Sequence, residues 1–198
     1  MTTELPPFFS AESIAACESA HAHGAGVEMT SGAATDLFTD PGNGHAEASA
    51  AVLTRAVNGP SFQFSARVQP GLRSTFDAGA LLVRTDDSHW AKLCLEQAVD
   101  GAPTAVSVVT RHLSDDANGW SLPGADAWMR ISRDGETFAF HVSTDGAVWK
   151  LLRIFSLPAH GSVEIGVVAQ SPMGEGCSVE FTELTLHPHA LSDPRSGA

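Results

Sequence analysis

Arg84, Lys92, Arg111 and Arg130, four of the chain's eleven lysines and arginines, stand out within apolar, strand-like runs. His141 is placed in the same way. With side chains alternating every second residue, Lys92 shares a face with Trp90 and Glu96, and Ser107 with Arg111. Arg130 shares a face with Trp128, His141 shares one with Ser143, and Arg84 opposes Leu81 and Val83. If these runs are neighbours in one sheet, Arg84, Lys92, Glu96, Arg111, Arg130 and His141 converge around Trp90 and Trp128. Such a surface suits a polyhydroxylated ligand, because indoles pack on the apolar face of a sugar while charged groups fix its hydroxyls. In this reading Arg111 is a wall of the groove, Lys92 and Glu96 its floor, and Trp90 its apolar plate. Because cations outnumber the one central carboxylate, the expected ligand is a saccharide, a sugar phosphate or a small anionic metabolite. The competing readings are a solvated sheet face with weak cross-strand ion pairs, and a surface that docks a protein or a second copy of the chain.

Catalysis finds less support in the residues. Glu96 could pair with Asp36 or Asp115, but Lys92 and Arg111 are expected to lower its pKa and unsuit it as a general acid. Glu180 and Glu183 are three apart, so a regular strand sends them to opposite faces unless a bulge intervenes. Ser107, His141 and Asp115 could be assembled into a triad, but no Gly-x-Ser-x-Gly elbow accompanies them. The pairs His21/His23 and His187/His189 read as surface histidines. The acidic loops "RTDDSHW" and "HLSDDANGW" lack the ordered spacing of a calcium loop. A non-catalytic binding domain without metal or cofactor is the expectation.

The elements that position these residues follow from turn chemistry. From residue 62 onward nine short strand-like runs succeed one another, with Asp100-Gly101, Asp134-Gly135 and Asp145-Gly146 between some of them, where hairpin turns need residues tolerant of positive φ. No helical crossovers interrupt them, which implies antiparallel sheets rather than βαβ units. In the first 60 residues, Ala11 to His23 is alanine-rich and reads as a short helix, while "GVEMTSG" and "AEASAAVLTRAV" read as strands. A single domain over 1–198 is expected, with its core at about 25–188 and a poorly ordered tail over 189–198.

Only 17% of residues are charged and the net charge is −12, a balance that disfavours nucleic acid and anionic membranes as partners. Three widely spaced cysteines without a CxxC pair read as buried free thiols of a reducing compartment. The N-terminus has no basic segment and no long apolar run occurs, so a cytoplasmic location is expected.

Together, "TDLFTDP" (Thr35 to Pro41), "DAGALLVRTDDSHWAKLCLE" (Asp77 to Glu96), "SVVTRHLSD" (Ser107 to Asp115), "WMRISRDGETFAFHVSTDGAVWKLLR" (Trp128 to Arg153) and "GVVAQSP" (Gly166 to Pro172) resemble the DUF1349 family of concanavalin A-like domains. The resemblance implies an all-β jelly-roll sandwich of two curved antiparallel sheets, related to lectins, glucanases and regulation-of-enolase-like proteins. It places Trp90, Lys92, Glu96, Ser107, Arg111, Ser114, Asp115, Ser143, Asp145 and Trp149 on family motif positions. The sequence departs from the pattern at Leu37-Phe38 and Asp116-Ala117, where the family has tryptophan-containing motifs. The Glu-x-Asp-x-Glu string of hydrolytic relatives does not occur.

Overall fold

The strand Ser61–Pro70 shows how this chain folds: Phe62, Phe64, Ala66 and Val68 are buried, and the residues between them are partly exposed. That period of two buries one face of an extended segment against a partner layer. The computed structural model describes residues 9, 14–15, 17–23 and 26–198. Its strands are β1 (Ile14–Ala15), β2 (Cys17–His23), β3 (Gly26–Ser31), β4 (Leu37–Thr39), β5 (Ala46–Ala48), β6 (Ala51–Val57), β7 (Ser61–Pro70) and β8 (Ala78–Asp86). There follow β9 (His89–Gln97), β10 (Pro103–Arg111), β11 (Leu113–Ser121), β12 (Ala127–Asp134), β13 (Thr137–Ser143), β14 (Lys150–Ser156), β15 (Val163–Gln170) and β16 (Ser178–His187).

Two seven-stranded antiparallel sheets form the jelly-roll sandwich expected from the sequence. The first runs β1-β6-β15-β8-β9-β10-β11 and the second β14-β13-β12-β7-β16-β3-β2. Between them lie Phe62, Phe64, Phe138, Phe140 and Phe181 of the second sheet against Leu53, Leu81, Leu93, Leu95 and Val109 of the first. Each such side chain contributes about 1.5–3 kcal/mol of burial free energy. Asp100-Gly101 and Asp145-Gly146 fall in connections between strands and Asp134-Gly135 straddles the end of β12, with Gly101, Gly135 and Gly146 at φ 84, 60 and 73. No helix long and apolar enough to cross a membrane occurs among the described residues.

Among the described residues the helix expected over Ala11 to His23 is not there. Within that stretch Ile14–Ala15 and Cys17–His23 are strands, paired to β6 and β3, and Ala11, Glu12, Ser13 and Ala16 lie outside the described residues. The helix preference of alanine is worth only tenths of a kcal/mol per residue, and the open edges of β3 and β6 supply backbone partners that outweigh it.

The first sheet is buried on both faces over β8, β9 and β10. Its inner face joins the main core. Its outer face carries a second cluster of Ala78, Ala80, Leu82, Trp90, Cys94, Val106, Val108 and Val168. The hairpin β4–β5 packs Leu37 and Phe38 against that cluster. It is pinned by the Asp36 carbonyl, which accepts from the amides of Ser49 and Ala50 at 2.9 Å. At its far end the Thr39 amide donates to Ser114 Oγ at 2.9 Å.

Candidate functional site

On the outer face of the first sheet the strand registers set two rows. Leu82, Lys92, Val108 and Asp116 lie opposite one another across β8, β9, β10 and β11. Gln170, Ala78, Glu96 and Thr104 lie opposite one another across β15, β8, β9 and β10. The alanines at 78 and 80 leave room for the Lys92 stem to lean across β8. Its Nζ donates to Gln170 Oε1 at 2.7 Å and to Asp36 Oδ1 at 3.2 Å. Above these residues lies a cavity of about 270 Å³, with Asp36, Lys92, Glu96, Asp116 and Gln170 as its polar lining. Phe38, Phe76, Val106 and Val108 supply the apolar part.

Asp36, Lys92 and Gln170 are tied down, while Asp116 and Glu96 make no hydrogen bond or ion pair with any described residue. Asp36 Oδ1 also accepts from the Leu37 amide at 2.7 Å. Gln170 Nε2 donates to the Phe76 carbonyl at 3.4 Å. Phe76 stands at the rim, 38% exposed, with a left-handed backbone at φ 68 that costs roughly 1 kcal/mol for a side chain of this kind. The loop holds it there: the buried Asp77 carboxylate accepts from the amides of Arg73 and Ser74 at 3.0 and 2.9 Å and from Ser171 Oγ at 2.6 Å.

Of these two, Glu96 is the buried one. It is 9% exposed, and its carboxyl makes no hydrogen bond to any described residue. Burial pushes its pKa up to about 7, Lys92 opposes the shift, and the negative charges of Asp36 and Asp116 add to it. This reverses the sequence expectation, because desolvation outweighs the lysine and Arg111 belongs to another part of the molecule. Cys94, between Lys92 and Glu96 on the same strand face, is a buried free thiol pushed up to about 12, chiefly by burial. Cys177 is likewise buried and free.

Of the residues expected to converge, Lys92, Glu96 and Asp36 do meet. Arg84 shares their face but is held in an ion pair with Glu164, Nε to Oε2 at 2.7 Å. Trp90 is 4% exposed beneath the β4–β5 hairpin, so it is no plate for a ligand. Arg111 and Ser107 project from the opposite face of β10. There Arg111 Nε and Nη2 donate to the Ser156 carbonyl of β14 at 3.1 and 2.9 Å, and Arg153 Nη1 donates to Ser107 Oγ at 3.3 Å. Asp115 pairs with Arg153 at 3.2 Å. These contacts tie the edge of one sheet to the edge of the other, which is the role of the arginine at the end of β10.

Arg130 and His141 sit on the second sheet, beneath the tail. Arg130 lies 4.4 Å over the Trp149 ring and donates from Nη2 to the Gly197 carbonyl at 2.6 Å. His141 Nε2 lies 2.7 Å from the Pro194 carbonyl and donates to it. Burial lowers the Arg130 pKa to about 10. Burial lowers His141 to about 4, against the hydrogen bond to Pro194 and aided by Arg130. The segment expected to be poorly ordered is thus packed on polar groups that would otherwise face water. Ser107, His141 and Asp115 stand on different sheets or faces, so they form no triad. A register shift in β16 does occur between Thr182 and Thr185, but Glu183 accepts from Trp128 Nε1 at 2.9 Å, away from the cavity. Ser143 and Asp145 close the β13–β14 turn, with Asp145 Oδ1 accepting from the amides of Ala147 and Val148 at 2.8 Å. Among the described residues no group of three or more His, Cys, Asp or Glu side chains could hold a metal ion.

Asp116, Gln170, Phe38 and Phe76 were missed by the reading of strand faces. Asp116 was one residue away: Val108 opposes it, so the cavity face of β11 carries Ser114 and Asp116, and Asp115 points the other way. Phe38 and Asp116 are also positions where the sequence departs from the family pattern.

The family described as "Protein of unknown function (DUF1349)" matches residues 15–189, and the chain belongs to it. Regulation of enolase protein 1 of Saccharomyces cerevisiae is 32% identical over 133 residues, a match covering 65% of this chain and 65% of that protein's own length. A crystal structure of a functionally unknown protein from Saccharomyces cerevisiae superposes with a TM-score of 0.80 at 28% identity, covering 89% of this chain and 94% of the other. The carbohydrate binding module CBM66 from Bacillus subtilis superposes with a TM-score of 0.57 at 11% identity, covering 91% and 99%, which is a likeness of fold.

Proposed function

We propose that this member of the DUF1349 family is a non-catalytic saccharide-binding domain that takes one sugar residue in the cavity above Lys92 and Glu96. The observation that carries the reading is the pairing, in one hollow, of the Phe38 and Phe76 side chains with Lys92, Glu96, Asp116 and Gln170. Aromatic faces pack on the C–H face of a pyranose while convergent polar groups take its hydroxyls. The volume, about 270 Å³, lies below the roughly 300–1,000 Å³ of drug-sized ligand sites, so it fits one ring rather than a chain. A carbohydrate-binding module of like fold supports the same reading. The charge balance runs against an anionic ligand: three carboxyl groups line the cavity, and its one lysine is already shared between Asp36 and Gln170.

The test is a glycan array followed by calorimetry on the native protein and Phe76→Ala. Binding of a mono- or disaccharide that weakens at least tenfold in the variant is expected. No binding to any saccharide, with a dimer in solution scattering that Phe76→Ala dissociates, would replace the reading with self-association.

Glu96 favours one second reading. A buried carboxyl that titrates near neutrality, with Asp36 and Asp116 in the same cavity, has the protonation behaviour of a general acid in glycoside hydrolysis. Turnover of chromogenic glycosides that Glu96→Gln abolishes would establish an enzyme instead.

A further inference from the structure

The cavity has a charge character that a neutral sugar does not use. Lys92 is 2% exposed and its ammonium is engaged by Asp36 and Gln170, so it has little positive field left for a ligand. Asp116 makes no hydrogen bond or ion pair with any described residue, and Glu96 is buried, faces the hollow and is equally unpartnered. Among described residues the titratable groups acting on Glu96 are Lys92, Asp36 and Asp116. Cys94, beside it on β9, is a neutral thiol. A guest that brings a positive charge would give the buried Glu96 carboxyl a partner, within the field of Asp116. The Phe38 and Phe76 rings, through their negative faces, also favour a cation. The chain as a whole, at net −12, attracts one.

From this we infer that the cavity selects a protonated amine carried on a sugar ring, an amino sugar, with the ammonium held by Glu96 and its charge favoured by Asp116 and Asp36 in the same cavity. The inference rests on the saccharide reading above and adds the class of sugar. Its protonic consequence balances simply. Near neutral pH the Glu96 carboxyl is partly protonated in the free protein. The incoming ammonium favours the carboxylate, so Glu96 gives up its proton to the buffer and the ligand keeps its own charge.

The experiment is calorimetry at about pH 6, where the amine is charged and Glu96 still holds its proton, with glucosamine, glucose and N-acetylglucosamine, each in two buffers of different ionisation enthalpy. Acetylation removes the charge, so N-acetylglucosamine separates charge from the mere presence of a nitrogen substituent. Glucosamine should bind at least tenfold tighter than the other two and release a fraction of a proton per ligand. Added salt should narrow the gap, and Asp116→Asn and Glu96→Gln should each shrink it. The proton release should vanish in Glu96→Gln. Glucose binding as tightly as glucosamine would overturn the amine preference and leave the saccharide reading standing. Binding by none of the three, nor by any glycan on the array, would overturn both. Preference without proton release would overturn the role of Glu96.

Discussion

Lys92 and Glu96 point from the same face of β9, yet Lys92 hydrogen-bonds Asp36 and Gln170 and leaves Glu96 without a partner. A lysine within reach of a buried carboxyl would ordinarily be expected to hold it ionised. Here burial wins, and the carboxyl titrates at about 7.

This has a measurable effect on stability. Glu96 takes up its proton at about 7 when folded, against an ordinary value of 4.5, so between those values the native state holds a proton that the unfolded chain has lost. Its contribution is fully present below about 4.5 and is lost as pH rises through 7, by an amount on the order of 3 kcal/mol. Glu96→Gln should remove that loss, seen as a higher urea midpoint than wild type at pH 8 and little difference at pH 4.5. Equal midpoints at both values would contradict it.

His141 acts with the opposite slope. Its folded pKa of about 4 lies below the ordinary value of 6.5, so the unfolded chain gains a proton that the native state refuses. Stability from this group is complete above about 6.5 and is lost as pH falls toward 4, again on the order of 3 kcal/mol. His141→Gln keeps a donor for the Pro194 carbonyl and should flatten that acid limb in the same denaturation series. An unchanged limb would mean that the tail does not shield the imidazole.

Removing the cation tests the other half of the pair. Lys92→Met leaves Asp36 and Gln170 without their donor and should cost about 3 kcal/mol, in line with one-sided deletion of a buried ion pair. With the opposing charge gone, the Glu96 pKa should rise further, which carboxyl NMR titration would follow. A fall in that pKa would refute the assignment of Lys92 as the group that opposes burial.

Arg111→Ala separates the sequence expectation from the structure. The guanidinium is exposed and donates to the Ser156 carbonyl from the far face of β10, so its loss should cost only about 1 kcal/mol of stability. Saccharide affinity should be unchanged. A tenfold loss of affinity would restore Arg111 to the binding site.

The strands and their antiparallel order were legible because β7 alternates cleanly and Asp-Gly marks the turns. The faces of β8, β9 and β10 were harder to read. Val106 and Val108 are apolar because a hairpin covers them, Val109 because the second sheet does, so the run "AVSVV" carries no sign of which face is which. A face chosen wrongly on β10 sent Arg111 and Ser107 into the site and named Asp115 in place of Asp116. Arg130 and His141 were misplaced for another reason: sheet membership is set by long-range pairing, and their strands lie in the other sheet, where a tail covers them. Phe76 gave no signal at all, since a single aromatic in a loop has no period.

Gln170 hands the floor of the cavity to its mouth. One end of its amide takes the Lys92 ammonium and the other gives a hydrogen to the main chain of Phe76, so the amide's orientation is dictated from both sides. Floor and entrance of the cavity are therefore joined through a single side-chain amide.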